Sequence, residues 1–416
     1  MADGKRKATS IAGGYRPAKQ RRKGTTISAV TAPNTPVPIP LSSPLKPLPK
    51  PNLRDLLTEP ATSTFTPVPS QGFPRRISTG LPQDSLLDIF RLFCPIHMLD
   101  EWAEYMNQAW EPTYAAEIYL FFGMLMYMSI HLEPRFEHYW STAPTNPVHP
   151  IARFMSRNRF QLLYRRFCVW DTMDPPQGVF NEINNWSNHL QETSVRYWNP
   201  ASEVSVDEAM PIPMGYKVWV VADSGYFLQW SFHAKGSGPV GYDASLYPEL
   251  APTQGIVIDL LSRLPAPPST SHGYHCFMDN LFSTPELFEF LRDQGTAATG
   301  TTCLERIDSR KMAELKTEDR SKDIVAWGTL YVRKHKTKEV MQFAFKDNAL
   351  VLAMISVEGE PTKMLQIPRL IDEYNHHMNG VDNGNQLRAE FEPPRRIQRG
   401  GHQALMYMFL LGVLHP

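Results

Sequence analysis

Cysteine is scarce in this 416-residue chain. Only Cys94, Cys168, Cys276 and Cys303 occur, and no two stand at CxxC or CxxxxC spacing. That argues against both a zinc module and a disulfide framework, and it fits a reducing intracellular compartment. A secretory leader is not visible either, because MADGKRKATS has no apolar stretch behind its basic residues. The longest apolar run, IYLFFGMLMYMSI at 118–130, is too short to span a bilayer and reads as a buried helix, so no membrane partner is expected. Net charge is missing as well: 42 Lys and Arg balance 42 Asp and Glu.

The charge is unevenly spread. Residues 1–60 hold eleven basic and three acidic side chains, a net of +8, so the remainder is acidic by the same amount. The first 80 residues are rich in Pro, Ser and Thr, as in TAPNTPVPIPLSSPLKPLPKPN, and are expected to form a disordered tail because they bury too little apolar surface to offset ordering entropy. Lys5-Arg6-Lys7, followed by Lys19 and Arg21-Arg22-Lys23, has the layout of a bipartite nuclear-import signal, which would place the protein in the nucleus. A solvated basic tail is the alternative.

Residues 81–200 read as helical. DSLLDIFRLFCP, with Asp84 as its expected cap, is followed by TYAAEIYLFFGMLMYMSIHL and SRNRFQLLYRRFCVW. The last sets Arg157, Arg159, Arg165 and Arg166 among aromatics, either a DNA-facing surface or an ordinary amphipathic face. From residue 204 strands and helices mix. VSVD, YKVWVVAD, YFLQWSFHA, YHCFMD, TAATGTT and NALVLAMISV read as strands. TQGIVIDLLSRL and TPELFEFLRDQG read as helices. Asp223-Ser224-Gly225 marks a hairpin, and residues 306–345 are a polar, charged stretch ending in a second hairpin from Trp327 to Phe345.

Three acids stand out by position. Asp207 ends VSVD, Asp279 ends YHCFMD, and Asp382 lies in the helical segment near the C-terminus. Side chains alternate along a strand, so Ser205 and Asp207 share one face, as do His275, Phe277 and Asp279. Glu208 falls on the opposite face from Asp207. If the two strands are neighbours, both carboxylates converge, and converging carboxylates repel unless protonated or bound to a cation. Hard divalent metals with oxygen ligands answer that need. Solvent-exposed strand-end acids are the plainer alternative. His376-His377 reads as an exposed helix start, Trp140 as a packing residue, and Asn280 as a side chain able to orient Asp279.

The local sequence around these acids resembles the piggyBac transposase family from about residue 85 onward. The motifs are EIYLFFGMLMYMSI, EHYWS, FMSRNRFQLLYRRF, VSVDEAM, YKVWVVADSGY, MDNLFSTPELFEFLRDQGTAATGTT, FKDNALVLAMIS and EYNHHMNGVDNGNQLR, in the family's order. The resemblance implies an α/β enzyme of the DDE type. An RNase H-like mixed-sheet core would fill 201–305 and 346–416, interrupted by an insertion at 306–345. A helical dimerisation and DNA-binding domain would occupy 81–200, behind the tail at 1–80. Asp207, Asp279 and Asp382 map onto the three catalytic, metal-binding aspartates. They would hold two Mg²⁺ ions, or Mn²⁺, for cleavage and strand transfer of transposon DNA at TTAA targets by a homodimer. No other cofactor is implied.

Three departures accompany the resemblance. Only residues 210–215 separate VDEA from YKVW, where the family usually has a longer Gly-, Arg-, Lys- and Pro-rich stretch. Asn385 stands where a further acid often follows the third aspartate. No cysteine-rich module follows the core, and the chain stops within the apolar segment GGHQALMYMFLLGVLHP, expected to be a truncated core helix. A catalytically inactive, domesticated or decayed DNA-binding derivative is therefore the alternative to an active transposase.

Overall fold

A computed structural model of the chain describes residues 72–108, 112–176, 180–209, 217–234, 238–268, 273–356 and 369–390, all within one compact unit spanning Pro51–Pro416. The basic clusters at 5–7 and 19–23, the short linker at 210–215 and the final apolar segment lie outside these residues.

The first half is helical: α1 (Leu86–Phe93), α2 (Ile96–Asn107), α3 (Ala115–Ile130), α4 (Arg157–Arg166) and α5 (Asn184–Tyr197). Their core is aromatic. Trp102, Phe122, Phe167 and Trp186 meet edge-on or stacked with centroids 5.1–6.3 Å apart, a geometry that aligns ring edges with ring faces. The cap of α1 is Ser85, whose hydroxyl accepts the Asp88 amide at 3.1 Å, rather than Asp84; the helix begins one residue later than the sequence suggests. Trp140 packs as expected, against Phe136 and Phe160, with its indole N–H donated to the Met155 carbonyl at 2.8 Å.

The strands are β1 (Arg76–Ile77), β2 (Trp198–Asn199), β3 (Glu203–Ala209), β4 (Lys217–Asp223), β5 (Tyr226–Ala234), β6 (Gly238–Pro239), β7 (His275–Met278), β8 (Ala297–Thr301), β9 (Leu330–Lys334), β10 (Met341–Lys346) and β11 (Leu350–Ile355). Helix α6 (Pro252–Ser262) connects β6 to β7, and α7 (Pro285–Asp293) crosses from β7 to β8. Helices α8 (Arg310–Lys322), α9 (Arg369–His377) and α10 (Gly380–Glu390) complete the set. Among the described residues, nine strands form one mixed sheet in the order β6-β5-β4-β3-β7-β8-β11-β10-β9. Within it, β5-β4-β3 is antiparallel and β3-β7-β8 is parallel, the strand arrangement of an RNase H-like core. The charged stretch after residue 306 supplies α8 and then β9 and β10, which extend the same sheet through β11.

Alternation separates two cores. Val204, Val206, Trp219 and Val221 face α6 and α7 together with Cys276, Met278 and Phe282. Val218, Val220, Ala222 and Trp230 face the helical half and Val381 of α10. The turn between β4 and β5 has the expected form, with positive φ at both Ser224 and Gly225.

Residues 72–80, expected to belong to the tail, are part of the fold. β1 pairs with β2, and Phe73 sets its ring against Tyr274 at 5.4 Å. Arg75 grips the fully buried Asp223 through both carboxylate oxygens, its Nε donating at 2.8 Å, and its guanidinium lies 5.0 Å from the Trp198 ring. Trp198 Nε1 and the Ala201 amide donate to the same carboxylate. Those donors hold Asp223 below the usual carboxylate range against the opposing effect of its burial. Composition alone hid this segment because its anchors are single residues spaced through a polar stretch.

Helix α10 lies across β3, β4 and β5 through two glycines one turn apart. A Cβ on Gly384 would stand 2.7 Å from the Gly225 carbonyl oxygen and closer still to the Phe227 ring; one on Gly380 would meet the Ser205 hydroxyl. Gly384→Ala should therefore destabilise the protein by about 1–3 kcal/mol through overpacking, despite alanine's better helix propensity, and chemical denaturation measures it. Arg75→Met should cost roughly 1.5–3 kcal/mol by leaving a buried carboxylate short of its charged donor. The same titration reads it, and a value near zero would mean that the strap at 72–80 adds nothing.

Candidate active site

The parallel register brings the first two acids together. β3 and β7 pair residue for residue up to Val206 and Met278, so Asp207 and Asp279 are the next pair in register. In-register residues of parallel strands point to the same face. The same face carries Ser205 beside Phe277, and Phe277 in turn supports the His377 ring at 5.0 Å. Asp207 does not end its strand: β3 continues through Glu208 and Ala209, and Asp207 stands opposite Val220 of β4.

Each carboxylate is half-buried and held by backbone amides. Asp207 accepts the N–H of Glu208 at 2.7 Å. Asp279 accepts the amide of Leu281 at 2.8 Å, in the turn that leads into α7, and the Phe282 amide also favours its charged form. Burial pushes the Asp207 carboxyl up to about 7, and the charges of Asp279, Asp382 and Glu208 add to that against the pull of the Glu208 amide. Burial also raises Asp279, reinforced by Glu208 and opposed by the amides and the Arg306 charge. In each, burial shifts the balance toward the neutral form, an effect that a bound cation would oppose.

Asp382 lies in the first turn of α10, exposed, where the helix N-terminus favours negative charge. The glycine contacts of α10 with β3 and β4 carry it toward the same face, and its charge is felt at Asp207. Asn385, one turn on, is half-buried, and its side-chain oxygen has no hydrogen-bond donor among the described residues. Glu208 stays on the opposite face, as alternation requires, opposite Trp219 and paired with Lys217 at 2.8 Å. Even so, its charge reaches both aspartates across the strand end.

The donors suit a hard divalent cation in kind: three carboxylates and a buried amide oxygen left as an acceptor. Among the described residues, however, no three His, Cys, Asp or Glu are gathered closely enough to hold a metal ion as they stand.

Other expectations sort differently. His376 and His377 close the C-terminal end of α9 rather than starting a helix, and His377 is half-buried. Asp279 is oriented by the Leu281 amide, whereas the exposed Asn280 contributes its carbonyl to Arg306. Arg159 is engaged by both oxygens of Glu117, at 2.7 and 2.6 Å, and by the Pro112 carbonyl, while Arg157, Arg165 and Arg166 are exposed. Sequence reasoning passed over Tyr374. Burial raises its hydroxyl, the Asp279 and Asp207 charges add to the effect, and it shares a 3.3 Å hydrogen bond with Thr301. Its place in EYNHHM, beside the third acid, was the available signal.

Comparison with known proteins bears on the family and the fold. Residues 87–414 match the family model described as Transposase IS4. The human PiggyBac transposable element-derived protein 2 is 23% identical over 313 residues, covering 67% of this chain and 50% of that protein. The human PiggyBac transposable element-derived protein 3 is 22% identical over 325 residues, covering 71% and 54%. The chain thus spans about half the length of the curated relatives it matches. Among solved structures, the cryo-EM piggyBac transposase synaptic complex with hairpin DNA superposes with a TM-score of 0.65 at 18% identity, over 82% of this chain and 76% of that one.

The carboxylate geometry has a pH signature. Folded Asp207 keeps its proton to about pH 7, whereas the unfolded chain releases it near 3.8. The folded state binds more protons in that window, so stability falls as pH rises through it. In chelated protein, Asp207→Asn should raise the melting temperature more at pH 8 than at pH 5. An equal gain at both would place the carboxyl's titration outside this window.

Proposed function

The chain belongs to the piggyBac branch of the Transposase IS4 family, and from that premise we propose that it is a DDE-type transposase carrying out divalent-metal-dependent DNA cleavage and strand transfer. The observation that carries this reading is the parallel register of β3 and β7, matched up to Val206 and Met278, with Asp207 and Asp279 the next residue of each chain segment and the charge of Asp382 bearing on Asp207. Asp207, Asp279 and Asp382 are the residues to hold Mg²⁺ or Mn²⁺. When bound, two such ions supply activation of the attacking oxygen and stabilisation of the leaving oxygen of a phosphodiester.

The protein's own part is positional. The Leu281 amide fixes the Asp279 carboxylate and the Glu208 amide fixes that of Asp207. Tyr374 borders the pair with a neutral hydroxyl. The substrate in this reading is transposon-end DNA with TTAA as target, handled by a homodimer. Exposed Arg157 and Arg165 on α4 are available for phosphates. The basic clusters at Lys5-Arg6-Lys7 and Arg21-Arg22-Lys23 direct it to the nucleus.

A second reading, a DNA-binding derivative without catalysis, draws on Asn385. A neutral amide is a weaker cation ligand than the acid often found at that position, and the acids are not gathered into a ligating set. One experiment separates the two. Purified protein is incubated with Mg²⁺ or Mn²⁺ and DNA carrying the element's terminal repeats, beside Asp279→Ala. Cleavage by the parent that drops at least a thousandfold (~4 kcal/mol) in the variant is the expected result. Binding without cleavage selects the second reading, and no binding at low salt removes both.

A further inference from the structure

We propose that Arg306 is the positioning residue for Asp279, a brace whose guanidinium holds the turn that presents this carboxylate. The inference rests on the reading of Asp279 as a metal-bearing acid and goes beyond it by naming what holds that acid in place.

The turn between β7 and α7 runs from Asp279 to Thr284 and exposes a row of backbone carbonyls. One nitrogen of Arg306, Nη1, donates to the carbonyls of Asn280 at 2.6 Å, Leu281 at 3.3 Å and Ser283 at 2.8 Å, while Nη2 reaches Leu281 at 3.4 Å. Within the turn, the Ser283 hydroxyl and amide both donate to the Asp279 carbonyl, at 2.8 and 3.2 Å. The peptide group whose Asn280 carbonyl Arg306 holds is the same one whose Leu281 N–H reaches the Asp279 side chain. Rigid peptide planes link the two sets of bonds, so fixing the carbonyls aims the amides.

Arg306 is itself anchored. It ends the short 3₁₀ turn Leu304–Arg306 after β8. Its carbonyl accepts from the side chain of Gln342, a fully buried residue of β10, at 3.2 Å. The other end of the Gln342 amide accepts from the Asp308 N–H at 3.2 Å. A continuous path therefore joins β10 to the Asp279 carboxylate through Gln342, Arg306 and the turn. The guanidinium presents Nη1 and Nη2 in one fixed plane, whereas a lysine ammonium lacks the second nitrogen and ends a flexible stem, so it holds the same carbonyls less firmly. Nη1 and Nη2 are thus engaged by the turn, which directs that end of the guanidinium to the protein.

The test uses the full chain as wild type, Arg306→Lys and Arg306→Met. Backbone hydrogen exchange is followed without metal, and Mn²⁺ affinity is measured by electron paramagnetic resonance. The brace predicts exchange of Leu281 and Phe282 at least about tenfold faster in both variants, with β3 and β4 unchanged. It also predicts roughly tenfold weaker Mn²⁺ binding in both, since the lysine keeps the charge but not the fork. DNA affinity at low salt should stay within about twofold of wild type in the lysine variant. Should the methionine variant fail to fold, the lysine variant decides alone. Unchanged exchange at Leu281 and Phe282 overturns the proposal, as does wild-type Mn²⁺ affinity in Arg306→Lys. If wild type itself takes up no Mn²⁺, the metal reading of Asp279 fails; faster exchange then still establishes the brace, and unchanged exchange still removes it.

Discussion

Two carboxylates brought together by adjacent parallel strands repel each other, and burial raises the cost of each charge. The pairing of β3 with β7 imposes both conditions on Asp207 and Asp279. Most of the surrounding structure can be understood as a response. Backbone amides, rather than side-chain cations, are the nearest donors to both acids, which limits the compensation inside the protein and leaves charge for a cation to neutralise. Arg306 works one step back, on the turn, where it organises without forming a salt bridge that would satisfy the acid outright.

That constraint depends in turn on how the sheet is held. The parallel pair sits at the centre of nine strands with α6 and α7 on one face and α10 with the helical half on the other. Strands buried on both faces cannot slip by one residue without turning apolar side chains into the wrong core, so the register that matches Asp207 with Asp279 is strongly specified. The glycines of α10 do the equivalent work for the third acid. Without Cβ atoms at 380 and 384, the helix approaches the backbone of the β4–β5 turn and the Ser205 hydroxyl, which sets where Asp382 can lie.

Much of the fold was legible beforehand because it follows from local patterns. Alternation marked the strands, TPELFEFLRDQG marked α7, and Asp223-Ser224-Gly225 marked the turn. What was misplaced lacked a periodic signal. The strap at 72–80 reads as tail because Phe73 and Arg75 are isolated among polar residues, yet each meets a partner more than a hundred residues away. Arg306 and Tyr374 were passed over for the same reason: an arginine in a charged stretch and a tyrosine in a helix carry no mark of the carbonyls or carboxylates they will meet. Asp84 and Ser85 are both good caps, and only the position of the first helical turn chooses between them.

The sequence by itself determined the identities that matter: three aspartates in their local motifs, the strand alternation that puts Ser205 and Asp207 on one face, and Asn385 in place of an acid. These are properties of neighbouring residues, and short-range geometry suffices to read them. The tertiary structure alone decided that β3 and β7 are adjacent, parallel and matched at Val206 and Met278, that Glu208 is felt by both aspartates from across the sheet, and that Gln342 and Arg306 stand behind Asp279. The reason is physical. Coulomb forces and hydrogen bonds act over ångströms in space, and residues 279 and 306, or 306 and 342, come within that range only after the sheet has closed around them.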